Sequence, residues 1–366
     1  MNEIAQRKIG EIELLRWPMA VLVVCIHADF LNSDLLSNGR VINVNDLGSV
    51  YLIITYISQI LGRIAVPLFF MISGYLFFRN FVETASLEVK LSWYKKKIKG
   101  RVSSLLVPLI SWNLLMCTYF VLKQYTPIRA FCPNLNIDWT ILAVISAPFD
   151  FICDNSHTAP IDNPLWFVRN LFFIALLTPI FFKKRIAVVI LGLCTIVWMF
   201  NPKDDYSVLP TIIFFISGGA LSMYNKAIYI CRTKMVVSSI AIMYLLLSFV
   251  DLLYYNKSVY CQPLHNIAIM VGCVFALSIS SLVASETKWR IPSLFSESSF
   301  VIFAFHSFVL YDIQKIMFRI LFYCNLTSAE GLFVYSSSIA FSVVISMLVY
   351  FLIKKNSFLS FLFIGR

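Results

Sequence analysis

Ten apolar runs, each near the length that crosses a bilayer, limit what this chain can fold into. They fall at roughly 14–31, 50–78, 103–122, 164–182, 186–200, 208–224, 235–255, 265–284, 298–322 and 331–353. A helix rises ~1.5 Å per residue, so ~20 apolar residues cover the hydrocarbon core. Within that core each backbone N–H and C=O has to be satisfied internally, which selects helices over open sheets. The chain is 59% hydrophobic and only 13% charged, with a mean hydropathy of +0.80. A soluble domain of 366 residues has no use for that much apolar surface. The expected fold is therefore all-α: a polytopic transmembrane helical bundle of about ten spans, forming a single membrane-embedded domain over 1–366.

The net charge of +11 suggests a nucleic-acid partner until its distribution is considered. With the N-terminus in the cytoplasm, eighteen basic residues fall in inside loops, among them Lys95–Lys97, Lys99, Arg101 and Lys183–Arg185. Only five, Arg40, Lys123, Arg129, Lys203 and Lys257, fall outside. Positive charge retained in cytoplasmic loops fits ten spans with both termini cytoplasmic. Anionic headgroups account for the Lys95–Arg101 cluster, and no nucleic-acid partner is expected.

No cleavable signal peptide is expected, because the first apolar run lacks a basic head and a small-residue cleavage site. The nine cysteines contain no C-x-x-C pair, so neither a metal site nor a disulfide framework is indicated. Cys132 and Cys153 share the long outside stretch 123–163 and either pair there or stay as thiols. That stretch also carries Asp138, Asp150, Asp154, His157 and Asp162, and a loop this long usually serves a function. Asn256-Lys-Ser and Asn325-Leu-Thr are glycosylation-type triplets in outside loops.

Four segments place ionisable or backbone-breaking residues inside apolar runs. In EIELLRWPMAVLVVCIHADFL, Arg16 and His27 are eleven residues apart, about three helical turns, so they share one face at ~16 Å along the axis. In GRIAVPLFFMISGYLFF, Arg63 precedes Pro67 and the small pair Ser73-Gly74. Arg169 lies in NPLWFVRNLFF behind Trp166, and His306 lies about nine residues into ESSFVIFAFHSFVLYDIQ. Ionisable groups in a membrane are expensive and point to function. Each also has a structural reading: snorkelling arginines, a kinked packing helix, and histidines bonded to a neighbouring serine or carbonyl.

In order along the chain, these segments resemble the bacterial family of integral-membrane acyltransferases called acyltransferase type 3, from Glu13 to about Leu310. ELLRWPMAVLVVCIH is similar to its opening helix with an Arg-x10-His signature, matched by Arg16 and His27. RIAVPLFFMISGYLFF resembles its second-helix motif at Arg63, Pro67, Phe69, Phe70, Ser73, Gly74 and Tyr75. KKKIKGRVSSLLVPLISWN is similar to its basic entry to the third helix, with Lys99, Arg101 and Pro108 aligned. PLWFVRNLF and SSFVIFAFH resemble its Trp-Phe-x-Arg element and its late Ser…His helix.

The resemblance implies transfer of an acyl group, most often acetyl, from cytoplasmic acyl-coenzyme A in a bacterial inner membrane. The acceptor would be a hydroxyl on a cell-envelope polysaccharide, lipid-linked sugar or glycolipid. The implied catalytic residues are His27, Arg63, Arg169 and His306, and the implied donor-binding residues are Arg16, Lys99, Arg101 and Ser73. No extracytoplasmic hydrolase-like domain follows the match, which implies a stand-alone form. The competing expectation is a transporter or flippase of an envelope precursor, using the same arginines and histidines as substrate or proton-relay groups. It would call for inverted repeats or paired broken helices, and only the second span reads as broken.

Overall fold

The computed structural model describes residues 3–31, 47–125, 161–200, 208–229, 231–255, 261–286, 292–321 and 328–366. Among them the chain is helical, with no strand. Each apolar run is realised as a helix: α1 Glu3–His27, α2 Ser49–Phe77, α3 Leu87–Tyr125, α4 Trp166–Leu176, α5 Lys184–Phe200, α6 Val208–Met223, α7 Lys234–Tyr254, α8 Cys261–Glu286, α9 Ser293–Leu321 and α10 Ser328–Lys354. A short α11, Ser357–Ile364, follows α10 and was not expected from the sequence. By length and composition, six described helices suffice to cross a membrane: α2, α3, α7, nearly all of α8 and α9, and α10. α6 is apolar but shorter.

The outside-stretch residues Asp138, Asp150, Asp154 and His157, the Cys132–Cys153 pairing and the Asn256 and Asn325 triplets lie outside the described residues.

Two helices carry built-in irregularities. α2 passes through a π-helical turn at Tyr56–Leu61 and a 3-10 turn at Gly62–Ile64 before resuming at Ala65. α3 has a π-helical turn at Val102–Leu106 between its basic first half and its apolar second half. Pro67 and Pro108 follow these turns. Each lacks the N–H that would bond the carbonyl four residues back, on Arg63 and Ser104.

Polar contacts gather at two opposite ends of the bundle. At one end, Glu11 pairs with Arg232, whose Nε donates to Ser281 at 2.6 Å. Lys97 donates to the Leu76 carbonyl, Lys184 pairs with Glu83, and Lys354 with Glu297. At the other end Lys123 pairs with Asp312 at 2.6 Å, His265 with Asp251 at 2.8 Å, and the Tyr56 and Ser248 hydroxyls meet at 3.0 Å.

A close helix crossing joins α2 to α6. A methyl on Gly74 would lie 2.8 Å from the Phe215 carbonyl carbon, and one on Gly218 would lie 2.8 Å from that of Met71. Only backbones without side chains fit so closely, as small-residue interfaces in membranes require. Gly74 is thus a packing residue. The crossing holds α2 against the core and fixes the heights of Arg63 and Ser73.

Candidate active site

α1 carries Arg16 and His27 on one continuous helix, as the spacing requires. α9 packs beside α1 and brings His306 to His27, with ring centroids 5.1 Å apart. His306 is completely buried. Its Nδ1 lies 3.1 Å from the Ile302 carbonyl. A carbonyl only accepts, so Nδ1 holds the proton and neutral His306 keeps its lone pair on Nε2. That Nε2 is buried and has no partner. The carbonyl bond is the one foreseen by the structural reading of His306, but the ring also faces the second histidine. His27 is half-buried as a whole residue.

Arg63 stands in the 3-10 turn of α2 and reaches this group through one intermediary. Its Nε and Nη2 donate to Gln59 Oε1 at 3.1 and 2.6 Å, and Gln59 Nε2 donates to Asp29 Oδ2 at 2.7 Å. The other Asp29 oxygen accepts from the Leu31 N–H at 3.0 Å. Asp29 lies two residues beyond His27 at the end of α1, and Arg63 acts electrostatically on both. Sequence reasoning missed Asp29 and Gln59. The available signal was the spacing His27-Ala-Asp29 at the end of an apolar run.

Arg169 is buried on α4, where its Nε donates to Asn170 Oδ1 at 3.2 Å. Asn170 Nδ2 reaches Thr211 at the start of α6 at 3.4 Å. Trp166 packs on Phe70 with ring centroids 6.2 Å apart. The start of α4 is therefore level with the middle of α2, between Arg63 and Ser73. An aromatic layer of Phe69, Phe70, Phe167 and Phe303 occupies that level, with ring pairs 4.7 to 6.4 Å apart.

Asp162, near the end of the 123–163 stretch, is completely buried. Its Oδ1 accepts from Ser307 at 2.6 Å, its backbone N–H donates to Asn113 at 3.1 Å, and its Oδ2 has no partner. Ser307 adjoins His306, so a buried carboxylate stands on the neighbouring face of α9. Burying a half-satisfied carboxylate is costly, and such groups cluster where chemistry is done.

Beyond the aromatic layer, the structure brings two donor-site candidates together. Arg101 Nη2 donates to the Ser73 carbonyl at 3.4 Å, and its guanidinium lies 5.7 Å from the Phe77 ring. The Ser73 hydroxyl is buried without a partner. Arg16 is half-buried on α1. Lys99 is exposed on α3, and its neighbour Lys97 turns inward instead, 5.6 Å from the Trp93 ring. The molecule thus has two polar levels, a His27–His306–Arg63 group and an Arg101–Ser73 group, with aromatic rings between them.

A family model described as an acyltransferase domain, that of acyltransferase type 3, matches residues 9–351, nearly the whole chain. No curated protein and no solved structure matches it.

Proposed function

We propose, since the chain belongs to the acyltransferase type 3 family, that it moves an acyl group, acetyl in the first instance, from acyl-coenzyme A to a hydroxyl of a cell-envelope carbohydrate or glycolipid. The observation that carries this reading is the His27–His306 pair in the family-matched region, with ring centroids 5.1 Å apart. The reading places about ten spans in a bacterial inner membrane, with both termini and the basic bundle end in the cytoplasm. That end carries Arg16, Arg101 and Ser73 and is where the donor enters.

The mechanism follows from where each group stands. Arg16 offers a planar fork that matches a phosphate bidentately. The ~16 Å from Arg16 to His27 along α1 is similar to the reach of a pantetheine arm. The aromatic layer receives that arm and keeps water from the thioester. His27 takes the proton of the acceptor hydroxyl, whose oxygen attacks the thioester carbonyl. The carbon–sulfur bond then breaks, coenzyme A leaves as a thiolate, and the proton on His27 returns to it. Arg169, level with the aromatic layer, suits the developing oxyanion, and Arg63 with Asp29 suits the acceptor.

The test is to incubate purified protein with acetyl-coenzyme A and acceptor and follow thiol release. His27→Ala should lower transfer by about two to four orders of magnitude, the usual contribution of a general base, while membrane insertion and coenzyme A binding persist. Transfer at the parental rate by a normally inserted His27→Ala protein would remove the proposal.

A further inference from the structure

The last carbonyls of a helix lack helical partners, and a buried helix end has no water to replace them. The end of α1 is buried: Ala28 has no exposed surface and Cys25 almost none. The Ala28 N–H still bonds the Val24 carbonyl at 2.8 Å, but the Asp29 N–H turns to the Ile26 carbonyl at 3.4 Å. The Cys25 carbonyl thereby loses its helical donor. Side chains from three other helices take it and the Ala28 carbonyl. Ser58, in the π-helical turn of α2, donates to the Cys25 carbonyl at 2.9 Å. Tyr335 on α10 lies 2.8 Å from Ser58 Oγ and 3.3 Å from the same carbonyl. Gln314 on α9 donates from Nε2 to the Ala28 carbonyl at 2.7 Å.

These bonds bracket His27, since one carbonyl lies two residues before it and the other one residue after. Ser58 and Gln314 are completely buried and Tyr335 nearly so. The shorter leg of the hydroxyl triangle puts the Ser58 proton on the Cys25 carbonyl, so the Tyr335 proton goes to Ser58 Oγ. Gln314 Nε2 also reaches Ser338 at 3.3 Å, which ties α10 to α9 at this level. Gln314 Oε1 is buried without a partner. A leucine would fill similar space without that cost, so packing alone does not account for the amide. α9 thus meets the end of α1 twice, through the His306 ring on His27 and through Gln314 on Ala28.

We propose that Ser58, Tyr335 and Gln314 are positioning residues for acyl transfer: a collar that holds the Cys25 and Ala28 carbonyls and so fixes the height and rotation of the turn that carries His27. The proposal rests on the reading of His27 as the base, and each of the three acts through that ring. Helix ends fray, and a frayed last turn of α1 would carry His27 away from His306. Bonds from three helices suppress that fraying at the turn where the proton is taken. Reacting groups tolerate little error in place, because a displacement of about 1 Å can cost 10²-fold in rate.

The test uses inverted membrane vesicles carrying the full-length protein, with radiolabelled acetyl-coenzyme A as donor and the vesicles' own envelope glycans as acceptor. Gln314→Leu, and separately the double variant Ser58→Ala with Tyr335→Phe, should each lower the maximal rate per inserted molecule about ten-fold or more. The KM for acetyl-coenzyme A should stay at the parental value. In a His27→Ala background neither change should lower the residual rate further, because the ring they aim is gone. Ser346→Ala removes another buried α10 hydroxyl, bonded to the Ser342 carbonyl at 2.7 Å, and should transfer at the parental rate. Gln314→Met gives the same comparison should the leucine variant not insert. If the collar variants keep the parental rate while His27→Ala loses it, the collar is wrong and the base reading stands. Losses that recur in the His27→Ala background, or that Ser346→Ala shares, would reduce the three residues to bundle stability and overturn the proposal. If His27→Ala transfers as the parent does, or the parent transfers nothing, the base reading itself fails.

Discussion

Adding one methyl at Gly74 should loosen the bundle more than any comparable change on an open helix face. The new Cβ would stand 2.8 Å from the Phe215 carbonyl carbon, with the carbonyl oxygen closer still. Carbon atoms in good contact lie ~3.5–4.0 Å apart. α2 and α6 must therefore separate by at least about 0.7 Å at this point, because a backbone carbonyl cannot rotate aside as a side chain can. A gap of 0.5–1 Å forfeits a quarter to a half of each dispersion contact across the interface. Overpacking of this kind costs about 1–3 kcal/mol, and the backbone-on-backbone geometry argues for the upper part of that range. Function should suffer too. The Ser73 carbonyl, one residue away, accepts from Arg101 at a distance already near the limit of a hydrogen bond, 3.4 Å.

The assay is thermal unfolding in detergent of the parent, Gly74→Ala, Gly218→Ala, the double variant and Gly192→Ala. Gly192 on α5 has nothing within 4 Å of the position a methyl would take. Its replacement should be neutral or stabilising by up to ~1 kcal/mol through helix propensity. Gly74 and Gly218 meet the same crossing, so the double variant should lose less than the sum of the singles. If Gly74→Ala unfolds with Gly192→Ala rather than well below it, the crossing is not as close as described and the argument fails.

Three further outcomes are expected. His306→Asn keeps a donor for the Ile302 carbonyl but removes Nε2, so the protein should fold and acyl transfer should fall; parental turnover would reduce His306 to packing. Cys231, in the connection between α6 and α7, has its thiol lowered from the ordinary value by hydrogen bonds with Thr233, the side chain first. Retained as the sole cysteine, it should react readily with a maleimide, and a membrane-impermeant reagent should reach it only from the cytoplasmic side; labelling from outside would invert the topology. The Lys184 N–H, followed by the Lys184 ammonium, holds the Glu83 carboxyl below its ordinary 4.5. That contribution is complete above 4.5 and is lost as the pH falls through the lowered value, so the stability difference between parent and Glu83→Gln should persist from pH 6 to 8 and shrink in acid.

Hydropathy located the helices because apolar length is the property a bilayer selects, but it saw only their apolar parts. α3 starts at Leu87 rather than 103, since Ser86 caps a basic stretch, LEVKLSWYKKKIKGR, that forms helix without being apolar. α4 stops at Leu176 instead of running to 182, and a 3-10 turn containing Pro179 replaces its last residues. α11 escaped because eight residues fall far below spanning length. Within the site, Arg16 and His27 were legible because both lie on one helix. The approach of His306 to His27 was not, because it depends on how α9 packs against α1, and no local spacing encodes that. Asp162 shows the same limit: no local spacing encodes its packing against Asn113 on α3 and Ser307 on α9.

The irregular turns connect these observations. Pro67 deprives the Arg63 carbonyl of its helical donor, and α2 responds with the π and 3-10 turns in which Arg63 finds Gln59 and, through it, Asp29. Pro108 does the same to Ser104, and α3 responds with the π turn where Gly365 docks. Short π segments of this kind are frequent at functional sites because they shift side chains out of helical register. Each proline thus exchanges one backbone hydrogen bond for a displaced arginine or a docking place. The two exchanges lie on either side of the aromatic layer. In the proposed reaction, one serves the end of the passage where the phosphates are held and the other the end where the hydroxyl is deprotonated. A straight α2 and α3 would preserve the ladder of hydrogen bonds and lose both.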